Sequence, residues 1–100
     1  MTAATAKLTK MTINGVHVGW QSQDRTITVE KIDACSGGGW TVVRAAASNI
    51  NIPPIVRTLA DARVCVAEIL ATRTEGQAAD DRAARDMSDR CAAAAGYRTA

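Results

Sequence analysis

The sequence predicts an α+β fold: a four-stranded, mainly antiparallel sheet followed by two helices, in the order β-β-β-β-α-α. Three observations carry this. Asn14-Gly15 separates two β-favouring stretches, Lys7 to Ile13 and Val16 to Gln21, and Asn-Gly tolerates positive φ at both centres of a tight hairpin turn. Two further stretches, Arg25 to Asp33 and Trp40 to Ala47, are rich in β-branched residues. From Thr58 onward, apolar residues recur at helical spacing.

The first hairpin sets a register. A two-residue turn pairs Ile13 with Val16, Met11 with Val18 and Thr9 with Trp20, so Met11, Ile13, Val16, Val18 and Trp20 are expected to share one apolar face. Ser22 to Arg25 is polar and turn-like. In the third stretch Ile27 and Val29 alternate with Thr26, Thr28 and Glu30, while Ile32 falls out of phase, so a bulge or the strand end is expected near Glu30-Lys31. Ala34 to Gly39 contains three consecutive glycines and reads as a flexible hairpin loop. A phosphate-cradling loop would need a Lys-Ser/Thr ending and a following helix, which are missing here. Trp40 and Val42 then point one way and Thr41 and Val43 the other.

Ser48 to Arg57 contains Pro53 and Pro54, which exclude regular ladder pairing at those positions; a short edge strand or an ordered loop is expected. Thr58 caps the first helix, with Asp61 standing in for the usual acid of a capping box. Leu59, Ala62, Val66, Ile69 and Leu70 form its stripe, and it should end near Thr72 and pack across the sheet. Thr74-Glu75-Gly76 breaks the pattern. Gln77 to Ala95 reads as an alanine-rich second helix with Asp81/Arg85 and Asp86/Arg90 as i,i+4 pairs. Its stripe, Ala84, Met87, Cys91 and Ala94, is shallow enough to approach another helix of this chain or of a second copy. Gly96-Tyr97 should end it. Residues 1–6 read as a short disordered lead and 7–100 as a single domain.

Composition narrows the function. The chain has 20 alanines, nine arginines, no Phe and one histidine, with 47% hydrophobic residues. Alanine buries little area, so Trp20, Trp40 and the branched aliphatics must supply most of the core, and self-association is one way to add buried surface. A net charge of +2 falls short of the clustered basic face expected of a nucleic-acid binder. Cys35, Cys65 and Cys91 are far apart and show no metal-ligand spacing with His17, so reduced thiols and no metal or cofactor are expected. No stretch approaches the roughly 20 apolar residues of a membrane span. His17 reads as an exposed strand residue, Asp80-Asp81 as helix-start and solubility charges, and Arg82, Arg85, Arg90 and Arg98 as part of an ion-paired helix face. No nucleophile, base and orienting group converge, so no enzyme is expected.

The candidate partner-binding positions are Trp20, Trp40, Arg44, Ile52, Ile55 and Arg57. The tryptophans serve either as core or as interface anchors, where Trp is over-represented. Arg44 and Arg57 flank the proline segment and suit a phosphate or a partner carboxylate; Ile52 and Ile55 can dock on the core or on a partner.

From Thr26 to Leu70 the runs Thr-Val-Glu, Gly-Gly-Trp-Thr-Val-Val and Arg-Thr-Leu-Ala-Asp-Ala-Arg resemble the small HicB-like antitoxin domain, which implies strands leading into a packed helix and a regulator of toxin or nucleic acid. The chain lacks the Pro-Gly turn of that family and any DNA-binding element after the helix, so no site residue is carried across. In size and in its alanine and arginine content the chain also resembles accessory proteins of actinobacterial phages. That resemblance implies a host-cytoplasmic protein that binds and modulates a host protein. The expectation is therefore a non-enzymatic binding protein, homo-oligomeric and without membrane contact, with an antitoxin or nucleic-acid regulator as the alternative.

Overall fold

A computed structural model describes residues 4–46 and 55–100. Among the described residues, five strands and two α-helices follow one another: β1 (Leu8–Ile13), β2 (Val16–Ser22), β3 (Ile27–Lys31), β4 (Trp40–Arg44), β5 (Ile55–Val56), α1 (Leu59–Thr72) and α2 (Glu75–Ala94). The sheet is antiparallel throughout, and its spatial order is the chain order. The α+β class and the antiparallel sheet agree with the sequence. The sheet has five strands rather than four because Ile55–Val56, just after the prolines, pairs with Trp40 and Thr41. Two residues suffice there because an edge strand needs a ladder on one side only.

Asn14 and Gly15 turn the first hairpin at φ 52° and 81°, as an Asn-Gly turn requires. Ile13 pairs with Val16 as expected. The register then shifts: Met11 faces Gly19 and Lys10 faces Trp20, with Val18 the extra residue of a bulge. One inserted residue moves every later side chain to the other face. Trp20 therefore joins the face carrying Val29 and Val42, while Met11 and Ile13 lie on the opposite one, so the single apolar face expected of the hairpin is divided. Gly19 is required by the neighbouring strand, since a Cβ there would lie 2.7 Å from the Val29 carbonyl oxygen.

The core lies between the sheet and α1. Leu8, Ile27, Val29, Val42, Ala62 and Val66 are buried, and Trp20, Trp40, Leu59 and Ile69 pack against them. Thr58 caps α1 by accepting from the Asp61 amide at 3.1 Å. Leu70, expected on the inner stripe, is exposed. The β3–β4 connection is a single 3₁₀ turn, Ala34–Ser36, followed by Gly37 at φ 103°.

α2 starts earlier than Gln77 because Thr74 and Gln77 form a reciprocal capping box: Gln77 N–H donates to Thr74 Oγ1 and Thr74 N–H to Gln77 Oε1. Gly76 thus sits inside the first turn. α2 crosses the sheet face opposite α1, where Thr28 and Glu30 line one groove together with Arg85, Ser88, Asp89 and Ala92; it does not lie beside α1. Its sheet-facing residues are polar or small, and Met87 and Cys91 of the expected stripe face solvent. α2 ends in a Schellman motif, with Gly96 at φ 88° and Tyr97 N–H donating to Ala92 O at 2.8 Å. The chain then returns along the outer edge of β1, where Thr12 and Ala100 exchange two backbone hydrogen bonds and Asn14 N–H donates to Arg98 O.

Candidate functional site

Beneath α2, at the end of the sheet where β2 turns into β3, lies the densest set of charged groups. Asp81 is fully buried. It accepts from Arg44 Nε at 3.0 Å, Arg73 Nη1 at 2.9 Å and the Ala46 amide at 3.1 Å. The expected Asp81–Arg85 pair is absent because Asp81 points inward to these donors, and its role as a solubility charge is likewise corrected. Arg73 also donates to Thr26 Oγ1 at 2.9 Å and to Asp24 at 2.8 Å. Burial raises the Asp24 pKa, but donors from Ser22, from the Thr26 hydroxyl and amide, and from Arg73 overcome it and hold this carboxyl well below the usual range.

A second knot, centred on Asp89, lies about two turns further along α2. Arg25 clamps Asp89 through both terminal nitrogens at 3.1 and 3.2 Å, and Thr99 Oγ1 donates to the same carboxylate. Arg85 Nε approaches Asp89 Oδ1 at 3.2 Å, an ion pair whose angle makes no hydrogen bond. Burial, reinforced by the charge of Arg25, draws the Arg85 pKa down against the pull of Asp89. The Nε groups of Arg25 and Arg85 and the Oε1 of Gln21 are buried without partners. Asp86 and Arg90 form the expected surface pair at 2.9 Å.

Between α2 and the β1–β2 hairpin runs a groove of about 420 Å³. Met11, Ile13 and Val18 line it from the sheet, and Ala92 and Tyr97 from the helix and its end, with Arg85 further back along α2. Ile13 and Val18 are 39% and 41% exposed, and Val16 at the hairpin tip is 63% exposed.

The candidate positions read from the sequence do not converge. Trp20 and Trp40 are half-buried against the core, and Trp20 meets the edge of His17 with ring centroids 5.1 Å apart. Arg44 is held by Asp81. Ile55 and Arg57 are exposed at the far edge of the sheet, and Ile52 lies outside the described residues. Sequence reasoning missed the groove because it depends on the bulge and on α2 crossing the second face. A Thr-x-x-Gln capping signal at Thr74 was legible and would have placed Asp81 two turns into the helix.

Cys35 and Cys91 are exposed and Cys65 is half-buried, all unpaired; burial, with the nearby Glu68, raises the Cys65 pKa. Among the described residues, no three His, Cys, Asp or Glu side chains gather as metal ligands, and no helix is long and apolar enough to cross a membrane. No family model matches the chain, and no match was found among curated proteins or solved structures.

Proposed function

We propose that the protein is a non-enzymatic binding module, phage-encoded, that engages a host cytoplasmic protein and modulates it. The observation supporting this reading is the apolar end of the β1–β2 hairpin, where Ile13, Val16 and Val18 stay open to solvent while the tryptophans turn inward. Adjoining apolar side chains left uncovered on a small domain are a feature of protein-docking surfaces. The alternative, a HicB-like or nucleic-acid-binding regulator, draws less support from the charges. Arg25, Arg44, Arg73, Arg85 and Arg90 each pair with a carboxylate, which cancels much of the positive field.

Tagged protein and its Val16→Asp variant, used as bait in an actinobacterial lysate, test the proposal. One partner retained by the parent and lost by the variant is the expected result. Val16 is exposed, so the variant should fold, and circular dichroism checks that. Failure of the parent to retain any specific partner at micromolar bait overturns the proposal.

A further inference from the structure

β1 is an edge strand, and only part of its outer side is covered. Thr12 exchanges two backbone hydrogen bonds with Ala100, and ahead of the strand Ala6 N–H donates to the Arg63 carbonyl. Alternate residues of an antiparallel strand turn both N–H and C=O the same way, so Leu8 and Lys10 face outward in phase with Thr12. That phase holds along β1 because the inserted residue of the bulge lies in β2. Among the described residues, Leu8 N–H and C=O and Lys10 N–H meet no partner, and the Lys10 carbonyl accepts only from Gln21 Nε2 at 3.5 Å. The open stretch, Lys7 to Met11, is five residues or about 17 Å, room for one short strand.

Charge says what fits there. No Asp or Glu precedes Asp24 in the chain, and none follows Asp89. The hairpin and the returning chain end therefore carry Lys7, Lys10 and Arg98 with no acidic side chain among them, and none of the three forms an ion pair among the described residues. Asp24 and Asp89, which approach from other elements, are held by Arg73 and Arg25. Glu30 stands on β3, two strands in from this edge. A second copy is a poor occupant, because β1 paired with β1 brings like charges together.

We infer that the open stretch of β1 takes up an extended acidic peptide of a partner as an added strand, continuing the antiparallel pairing that Thr99 begins. The peptide main chain bonds to Leu8 and Lys10, and two of its carboxylates, three residues apart, meet Lys10 and Lys7. The inference concerns this edge alone and does not depend on a protein docking at the hairpin tip.

The test titrates ¹⁵N-labelled protein with the acetylated and amidated hexapeptide Thr-Glu-Val-Val-Glu-Thr, with its Lys-for-Glu counterpart, and with the acidic peptide N-methylated at both valines. The acidic peptide should give saturable amide shifts at Leu8 and Lys10, and those two amides should exchange more slowly with solvent. The basic and the methylated peptides should each bind about tenfold more weakly. Raising the salt from about 20 to about 300 mM should weaken the acidic peptide several-fold. In the double variant Lys7→Glu/Lys10→Glu the preference should reverse. Both lysines are exposed and unpaired, so this variant should fold, and circular dichroism checks that; if it does not, the three peptides on the parent decide. Absence of saturable shifts at millimolar peptide overturns the inference, as do shifts confined to other surfaces or equal affinity for the acidic and basic peptides. So does a concentration-dependent shift of Leu8 and Lys10 without peptide, which marks a second copy on the edge.

Discussion

Asp81 shows how much one side chain can be asked to hold. It is fully buried, and both of its guanidinium partners are largely out of water, Arg73 at 8% exposure and Arg44 at 24%. Removing the charge leaves two cations facing a neutral group in a medium that solvates them poorly. Asp81→Asn should therefore cost about 3–5 kcal/mol in urea unfolding. Asp86→Asn, which breaks a pair exposed on both sides, should change stability by less than about 0.5 kcal/mol. Similar losses in the two variants would refute this assignment of the buried network.

Asp24 makes a pH prediction at the same scale. Its folded-state pKa is depressed, so the folded state binds this proton less readily than the unfolded chain does. The stabilisation is therefore complete above the unfolded value, about 3.9, and is lost as the pH falls below it. Because the side chain is 41% exposed, solvent screening keeps the effect modest. Unfolding free energy measured from neutral to acid pH should fall along a shallower limb in Asp24→Asn than in the parent. Superimposable limbs would show that the Ser22, Thr26 and Arg73 donors contribute nothing.

At the scale of elements, the hairpin depends on two residues with different tasks. Asn14-Gly15 makes the turn, and its effect is local. Gly19 lets β3 approach at the bulge, and its effect reaches the core through Trp20 and Val29. Gly19→Ala forces a Cβ against the Val29 carbonyl, and the strands must separate to admit it. A loss of about 1–3 kcal/mol is expected, with Trp20 fluorescence shifted toward that of an exposed indole. An unchanged melting curve would mean that β2 slides without cost. The turn was legible because Asn-Gly acts through its own backbone preference. The bulge was not, because it reflects the fit of β2 against β3, and no local propensity encodes that fit.

The two helices illustrate the same division. α1 was placed correctly from its Thr58 cap to Thr72 because its apolar stripe and its cap agree. For α2 the helical type was plain, but the buried face was not. Its inward charged residues, Asp81, Arg85 and Asp89, are the kind normally assigned to solvent, and Arg25, Arg44 and Arg73 supply the counter-charge that makes burial of the two carboxylates tolerable.

Across the whole molecule, the two sides of the sheet are held by different physics. One is an apolar interface between α1 and the sheet. The other is a set of ion pairs, a groove and the returning chain end beneath α2. Apolar burial is lost only when the element leaves, whereas polar contacts can exchange with water during small openings. Native-state hydrogen exchange should therefore show α2 amides opening at lower free energy than those of α1, Val29 and Val42. Equal protection across both helices would show that α2 is part of one cooperative unit with the core.

The sequence by itself determined the antiparallel sheet, the Asn-Gly turn, both helices and the α1 core, since each follows from backbone preference or from the period of apolar residues. Tertiary structure alone decided the fifth strand, the divided hairpin face, the side of the sheet that α2 covers, and the partners of Asp81 and Asp89. Those depend on groups far apart in the chain, such as Arg25 with Asp89 and Arg44 with Asp81. A buried charge is stable only where its counter-charge arrives, and that meeting belongs to the folded chain.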